Sequence, residues 1–393
     1  MKKLLSLALV LGLVLTMAVP SFAADAIKLK LWGSQEDQAM LQEMVEGFKA
    51  ANSDKTFDIE LGVVGEPDAR AKYLEDPAAA ADVFAFPNDQ IVDLVNAGAL
   101  YEVTINKDAI IEENVAGAIE AATVDGELYA YPMTADNGYF MYYDKSVISP
   151  EQAKSLDAML EAAADAGKKV FMDVSNGWYI ASFFLGAGGK LTVEDGKQTS
   201  DFNNAHGLAA GEAIKAFTAN DAFITGDDAI LTGGIGDTIA AGVSGAWNAN
   251  AIMEKLGDNY AAAKLPTFTL GGEQVQMSSF AGFKLVGVSS LTEYPEEAMA
   301  LAEYLTNEEN QLKRFELRGM GPSNIKVAQS EAVQANEALA ALADQANYAY
   351  SQKEVLGNYW TPAEAFGTTM EARDYSKDIQ TLLDEMVAAI TAQ

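Results

Sequence analysis

Aromatic rings standing near carboxylates are the feature of this chain best suited to chemistry. There are four tryptophans, Trp32, Trp178, Trp247 and Trp360, each expected at the end of an element or in a loop beside small or polar residues. Phe86, Tyr179 and Tyr359 stand close to them, or to strand ends, in sequence, and Glu36, Asp89 and Asp136 supply carboxylates in the same kinds of place. An aromatic ring covers an apolar C–H face, and a carboxylate accepts charge-assisted hydrogen bonds from adjacent hydroxyls. A sugar presents both aspects at once. The alternative is that these rings are core residues that happen to lie at element ends.

Signals for catalysis are few. The one histidine, His206, falls inside an expected helix, and there is no cysteine. Thiolate metal sites, cysteine nucleophiles and disulfides are therefore excluded. No nucleophile-elbow sequence or histidine-rich zinc spacing occurs. The glycine runs at 185–189 and 233–236 lack the lysine and hydroxyl residue of a phosphate loop and read as turns. Asp227 and Asp228 near Asp237 could attract calcium, but the twelve-residue loop pattern is absent. A glycosidase using Asp89 and Asp136 would need carboxyls about 5 Å apart for retention, or about 6.5–9.5 Å for inversion. Nothing in the sequence marks a general acid. The expectation is a protein with no catalytic residue, cofactor or bound metal.

Residues 1–23 read as a signal peptide: Lys2 and Lys3, an apolar run from Leu4 to Val19, then Ser21 and Ala23 before a cut near Ala24. Export to the periplasm or the extracellular space is expected, without a lipid anchor through cysteine. The roughly 370 residues that follow suggest two domains. With 57 acidic against 26 basic residues and a formal net charge of −31, phosphate backbones and anionic lipid surfaces would be repelled. Nucleic acid is excluded as a partner, and a monomer is expected.

The elements that must position these residues alternate. Ile27 to Trp32 has strand periodicity, and Met40, Leu41, Met44, Val45 and Phe48 recur at helical spacing. Strands at Phe57–Leu61 and Val83–Phe86 follow, with helices over 70–75 and 90–96 between and after them. That order predicts an α/β layer with a parallel sheet, whose strand ends face a crevice. Asp125-Gly126 is a strong hairpin turn. Pro132 should hold its strand to an edge, and Asp136-Asn137-Gly138 reads as a polar turn before the aromatic strand 139–143. Beyond it come a helix over about 150–167, a strand at 169–173, a returning strand at 283–288, helices at 295–305 and 307–317, and a recrossing at 319–323. An apolar stripe of Ile379, Leu382, Leu383, Met386, Val387 and Ile390 marks a final core-facing helix.

Taken in order, these segments resemble the extracellular solute-binding proteins of ABC importers, specifically their maltose/maltodextrin-binding branch. Asp125 to Pro132, then Asp136, then Tyr142 to Lys145 is similar to that family's "NGKLIAYP…E…LIYNKDLL". Lys264 to Phe268 matches its "LPTF", Ser244 to Asn248 its "NGPWAW" turn, and Asn358-Tyr359-Trp360 its "AFWYA" segment. Asn176 to Tyr179 falls at its "EPY" but carries no glutamate. Phe84 to Gln90 resembles "IIFWAHDR", with Phe86 or Pro87 in place of the tryptophan and Gln90 in place of the arginine. The resemblance implies a two-lobe periplasmic-binding-protein fold of type II-like form, with lobes at 24–134 plus 283–325 and at 135–282 plus 326–393. It further implies an oligosaccharide ligand, an α-glucan above all, and a membrane permease as partner. The implied contacts are Trp32, Glu36, Phe86 and Asp89 from the first lobe, and Asp136, Trp178, Tyr179, Trp247, Tyr359 and Trp360 from the second. Asp136 stands where relatives carry glutamate. A sugar sensor or adhesin would use the same site.

Overall fold

The computed structural model describes residues 26–194 and 196–392, so the expected signal peptide lies outside them. Alternating strands and helices build two sheets. In the first, the strand Ile27–Gly33 runs parallel to both Phe57–Val63 and Val83–Pro87, as expected of strands joined by helical crossovers. The helix Gln38–Ala51 covers this sheet, and its helical-period residues Met40, Leu41, Met44, Val45 and Phe48 are all buried. Each such side chain contributes about 1.5–3 kcal/mol on leaving water. The second sheet runs in the order Phe223–Ile224, Lys169–Phe171, Ile239–Ser244, Phe140–Asp144, Tyr260–Ala263.

Two long strands join the halves. Tyr131–Gly138 pairs antiparallel with Ser279–Val288, with register shifts on either side of Lys284. Tyr131 and Met133 belong to the apolar core around the first sheet, whereas Tyr139 and Met141 belong to the core of the second. Ser279–Val288 makes the same passage in reverse, from Phe280 in the second core to Leu285 and Val286 in the first. A third segment runs beside them. Pro322 bridges to Thr134, the Ala135 N–H donates to the Gly321 carbonyl at 2.9 Å, and Ala338 and Ala341 beyond it pack near Phe140 and Tyr142. The chain is therefore a two-lobe α/β protein with several crossings.

Local expectations fare unevenly. Asp125 and Gly126 take positive φ of 50° and 89° between the short strands Thr123–Val124 and Glu127–Leu128. Asp136-Asn137-Gly138 is not a turn. All three continue the Tyr131–Gly138 strand, because Gly282 and Ala281 of Ser279–Val288 pair with Asn137 and Gly138 and carry Asp136 along with them. The helix expected from about 150 starts only at Leu156, after a short 3₁₀ turn at Gln152–Lys154. The final apolar stripe is fully buried in the helix Ile379–Thr391.

Candidate functional site

Two indoles lie side by side. Trp178 occupies the first turn of the helix Gly177–Gly186, where Asn176 caps by accepting from the Trp178 N–H. Trp247 sits in a 3₁₀ turn directly after the strand Ile239–Ser244. Their rings are 5.9 Å apart and tilted by 34°, and both are only partly buried. Gly245 makes this possible, since a Cβ there would fall 1.9 Å from the Trp247 ring.

Each indole is pinned through its N–H. Trp247 Nε1 donates to Asp228 Oδ2 at 2.9 Å, while the adjacent Asp227 accepts the Ala229 and Ile230 N–H groups as a helix cap. The acidic pair that could have suggested calcium is thus occupied by a cap and an indole. Trp178 Nε1 donates to Gln352 Oε1 at 2.9 Å. Tyr139 supports Trp178 from behind, donating its hydroxyl to the Trp178 carbonyl at 2.7 Å, and Tyr179 packs edge-on against both rings. Rings fixed in this way lose little freedom when a second flat, apolar surface is laid on them.

Gln352 is the centre of the arrangement. Besides the Trp178 indole, its Oε1 accepts from Asn137 Nδ2 at 3.0 Å, and its Nε2 donates to Asp89 Oδ1 at 2.7 Å. One amide thereby links the second lobe, a crossing strand and the first lobe. Burial pushes the Asp89 carboxyl up to about 7, with the Gln352 hydrogen bond opposing the rise. Gln90 anchors the same loop by donating to the Pro67 carbonyl at 2.7 Å and accepting from the Arg70 N–H at 2.9 Å.

The other sequence-predicted residues divide. Trp32 is partly buried at its strand end, packed on Phe84 and over Gly62, and Trp360 is partly buried against Phe280 and Tyr359. Phe86 and Tyr359 lie inside the cores, away from the surface where contact was expected of them. Both are fully buried: Phe86 faces the first core beside Phe84, and Tyr359 packs in the second core with its hydroxyl donating to the Gly177 carbonyl. Their contribution is to hold neighbours in place. Glu36 is exposed and without a partner, while the next residue, Asp37, is buried between Arg314 at 2.8 Å and Arg318 at 2.9 Å.

Asp136 also departs from the role expected of it. It is 2 % exposed, and its Oδ2 accepts the Gly321 N–H at 2.6 Å, tying two crossing segments together. Its Oδ1 is buried without a hydrogen bond of ordinary geometry. Burial raises its proton affinity, with the Lys284 charge nearby the largest opposing influence. Sequence reasoning missed Gln352 altogether. The tail segment 349–354 offers no motif, and its partner Asp89 is 263 residues distant. No group of three or more histidine, cysteine or acidic side chains able to hold a metal ion occurs among the described residues.

This architecture recurs in solved structures. A complex with acarbose shares 31 % sequence identity and superposes with a TM-score of 0.84, covering 93 % of this chain and 99 % of that one. The unliganded maltodextrin-binding protein MalE1 from L. casei BL23 is 26 % identical with a TM-score of 0.75, at the same coverages. The galactooligosaccharide-binding protein of Bacillus subtilis (strain 168) is 29 % identical over 364 residues, spanning 86 % of this chain and 83 % of that protein. Residues 43–341 match the family model for bacterial extracellular solute-binding proteins, and the chain belongs to that family.

Proposed function

We propose that this protein captures an oligosaccharide between its lobes and presents it, lobes closed, to the permease of an ABC importer. The observation that carries the reading is the pair of fixed, partly buried indoles, Trp178 and Trp247, the first of them joined through Gln352 to Asp89 on the opposite lobe. Rings supply apolar faces for sugar C–H surfaces, and the surrounding amide and carboxylate groups supply partners for hydroxyls. Trp32, Trp360 and Tyr179 complete the proposed contact set, while Asp136 ties the crossing segments together. Closure follows if ligand contacts from each lobe are made together only in the closed form.

An α-glucan is the favoured ligand class, supported by the relatives solved with acarbose and described as maltodextrin-binding. A galactooligosaccharide is the second reading, supported by the Bacillus relative at comparable identity. A thermal-shift series with maltose, maltotriose, maltohexaose and β-1,4-galactotriose separates them, because a ligand that binds only the folded protein raises its melting temperature. Stabilisation by the maltooligosaccharides alone supports the first reading, by galactotriose alone the second, and by neither overturns both. Incubation with maltohexaose should leave it intact; shorter products would point to a hydrolase. The related proteins are solute-binding proteins, and Asp89 and Asp136 are each engaged by an amide N–H, which favours binding over hydrolysis.

A further inference from the structure

Lys284 stands out among the cations of the chain. It lies in the crossing strand Ser279–Val288, between the two register shifts, and its side chain is nine-tenths buried. A buried ammonium has three donors to satisfy. Yet no described residue accepts a hydrogen bond from it: Glu66 Oε1 is 3.8 Å away, the Trp247 ring centroid lies 5.2 Å from Nζ, and the buried Asp136 carboxylate acts on it through charge alone. Glu66, on the first lobe, is buried to the same degree and its carboxylate has no other polar partner. Neither head group is sealed off, however, since neither is among the fully enclosed polar atoms that lack hydrogen bonds.

A structural ion pair held this deep would be expected to close to hydrogen-bonding distance, because a loose one recovers little of its desolvation cost. The pair stands open instead, beside a stacking ring. We propose that Lys284 and Glu66 form a hydroxyl-recognising subsite, in which the ammonium donates to one hydroxyl oxygen of a saccharide stacked at Trp247 and the carboxylate accepts from its neighbour. The inference rests on the oligosaccharide reading above and adds the residues that select among sugars. A donor and an acceptor side by side match a vicinal diol, whose hydroxyls both give and accept. A change of configuration at one carbon moves one hydroxyl out of reach, so this pair discriminates between epimers where the rings do not. Because Glu66 comes from the first lobe, Trp247 from the second and Lys284 from the strand between, the diol would be held by all three.

The test is calorimetry of the wild type, Lys284→Met and Glu66→Gln with maltotriose and β-1,4-galactotriose, followed by monodeoxy analogues of the trisaccharide that binds. We expect each substitution to weaken binding about 10- to 100-fold, as for loss of a charge-assisted hydrogen bond. We also expect one deoxy position to be costly in the wild type and nearly free in Lys284→Met. Glu66→Gln keeps the shape of the side chain and carries the same reading if Lys284→Met does not fold. Equal affinities for wild type and folded variants would overturn the subsite while leaving the function intact. So would a weakened variant that still pays the full deoxy penalty, which would mark a purely structural pair. A wild type that binds neither trisaccharide would overturn the function and this inference together.

Discussion

The loop after the strand Val83–Pro87 and the crossing strand Tyr131–Gly138 each bury an aspartate, and the two are held in different ways. Asp89 and Asp136 are 6 % and 2 % exposed, and burial raises the proton affinity of both. Both are also engaged by one short N–H bond. At Asp89 the donor is a side-chain amide, Gln352, which also holds the Trp178 indole. At Asp136 it is the backbone of Gly321, in a neighbouring crossing segment. In the proposed function, a carboxylate held by a side chain that touches a stacking ring is coupled to ligand, and one held by hinge backbone is coupled to the fold. Residue type and burial alone do not distinguish the two.

Substitutions separate the two aspartates. Asp136→Ala leaves the buried Gly321 N–H without an acceptor and removes a negative charge near Lys284, so a stability loss of about 3 kcal/mol is expected in urea unfolding. A loss below about 1 kcal/mol would mean that the hinge is tied elsewhere. Trp178→Ala and Trp247→Ala should each cost about 2 kcal/mol of saccharide affinity, and Trp360→Ala a similar amount, as measured by calorimetry. Unchanged affinity in all three would move the site away from the indoles. Gln352→Ala should cost about 1–2 kcal/mol of affinity and also shift tryptophan fluorescence, because it frees the Trp178 N–H. An affinity loss without a spectral change would place its effect on the Asp89 side alone.

The elements were more legible in the sequence than the site. Period-two and period-3.6 patterns located the strand Ile27–Gly33, the helix Gln38–Ala51 and the final helix, because their apolar residues face one core each. The Asp136 to Gly138 strand was missed because local turn propensity favours those residues, while a distant strand supplies the ladder that overrides it. Trp178 and Trp247 stood out as rare, large residues at element ends. Phe86 gave the same signal but lies on the core face of its strand, a distinction fixed by register. Gln352, Lys284 and Glu66 had no local signal. Their roles come from pairings across 263 residues for Gln352–Asp89 and across the lobes for Lys284–Glu66.

Asp89 carries a pH dependence that a buried carboxyl imposes on stability. The unfolded chain releases this proton near the ordinary carboxylate value of 3.8, while the folded protein holds it to about 7. Between those values the folded state binds more protons, so this group's contribution to stability declines as pH rises from about 4 to about 7 and then levels. Asp89→Asn mimics the protonated form and removes that slope. The stability difference between variant and wild type should therefore grow in the variant's favour by about 1 kcal/mol per pH unit between pH 5 and 7, as followed by urea unfolding. A difference independent of pH would mean the carboxyl is ionised throughout, with solvent reaching it past Gln352. Glu36→Ala should change neither affinity nor stability by more than about 0.5 kcal/mol, since an exposed carboxylate without a partner has little to lose. A larger affinity loss would show that closing the lobes brings Glu36 onto the ligand, and would extend the first lobe's contribution beyond Asp89 and Trp32.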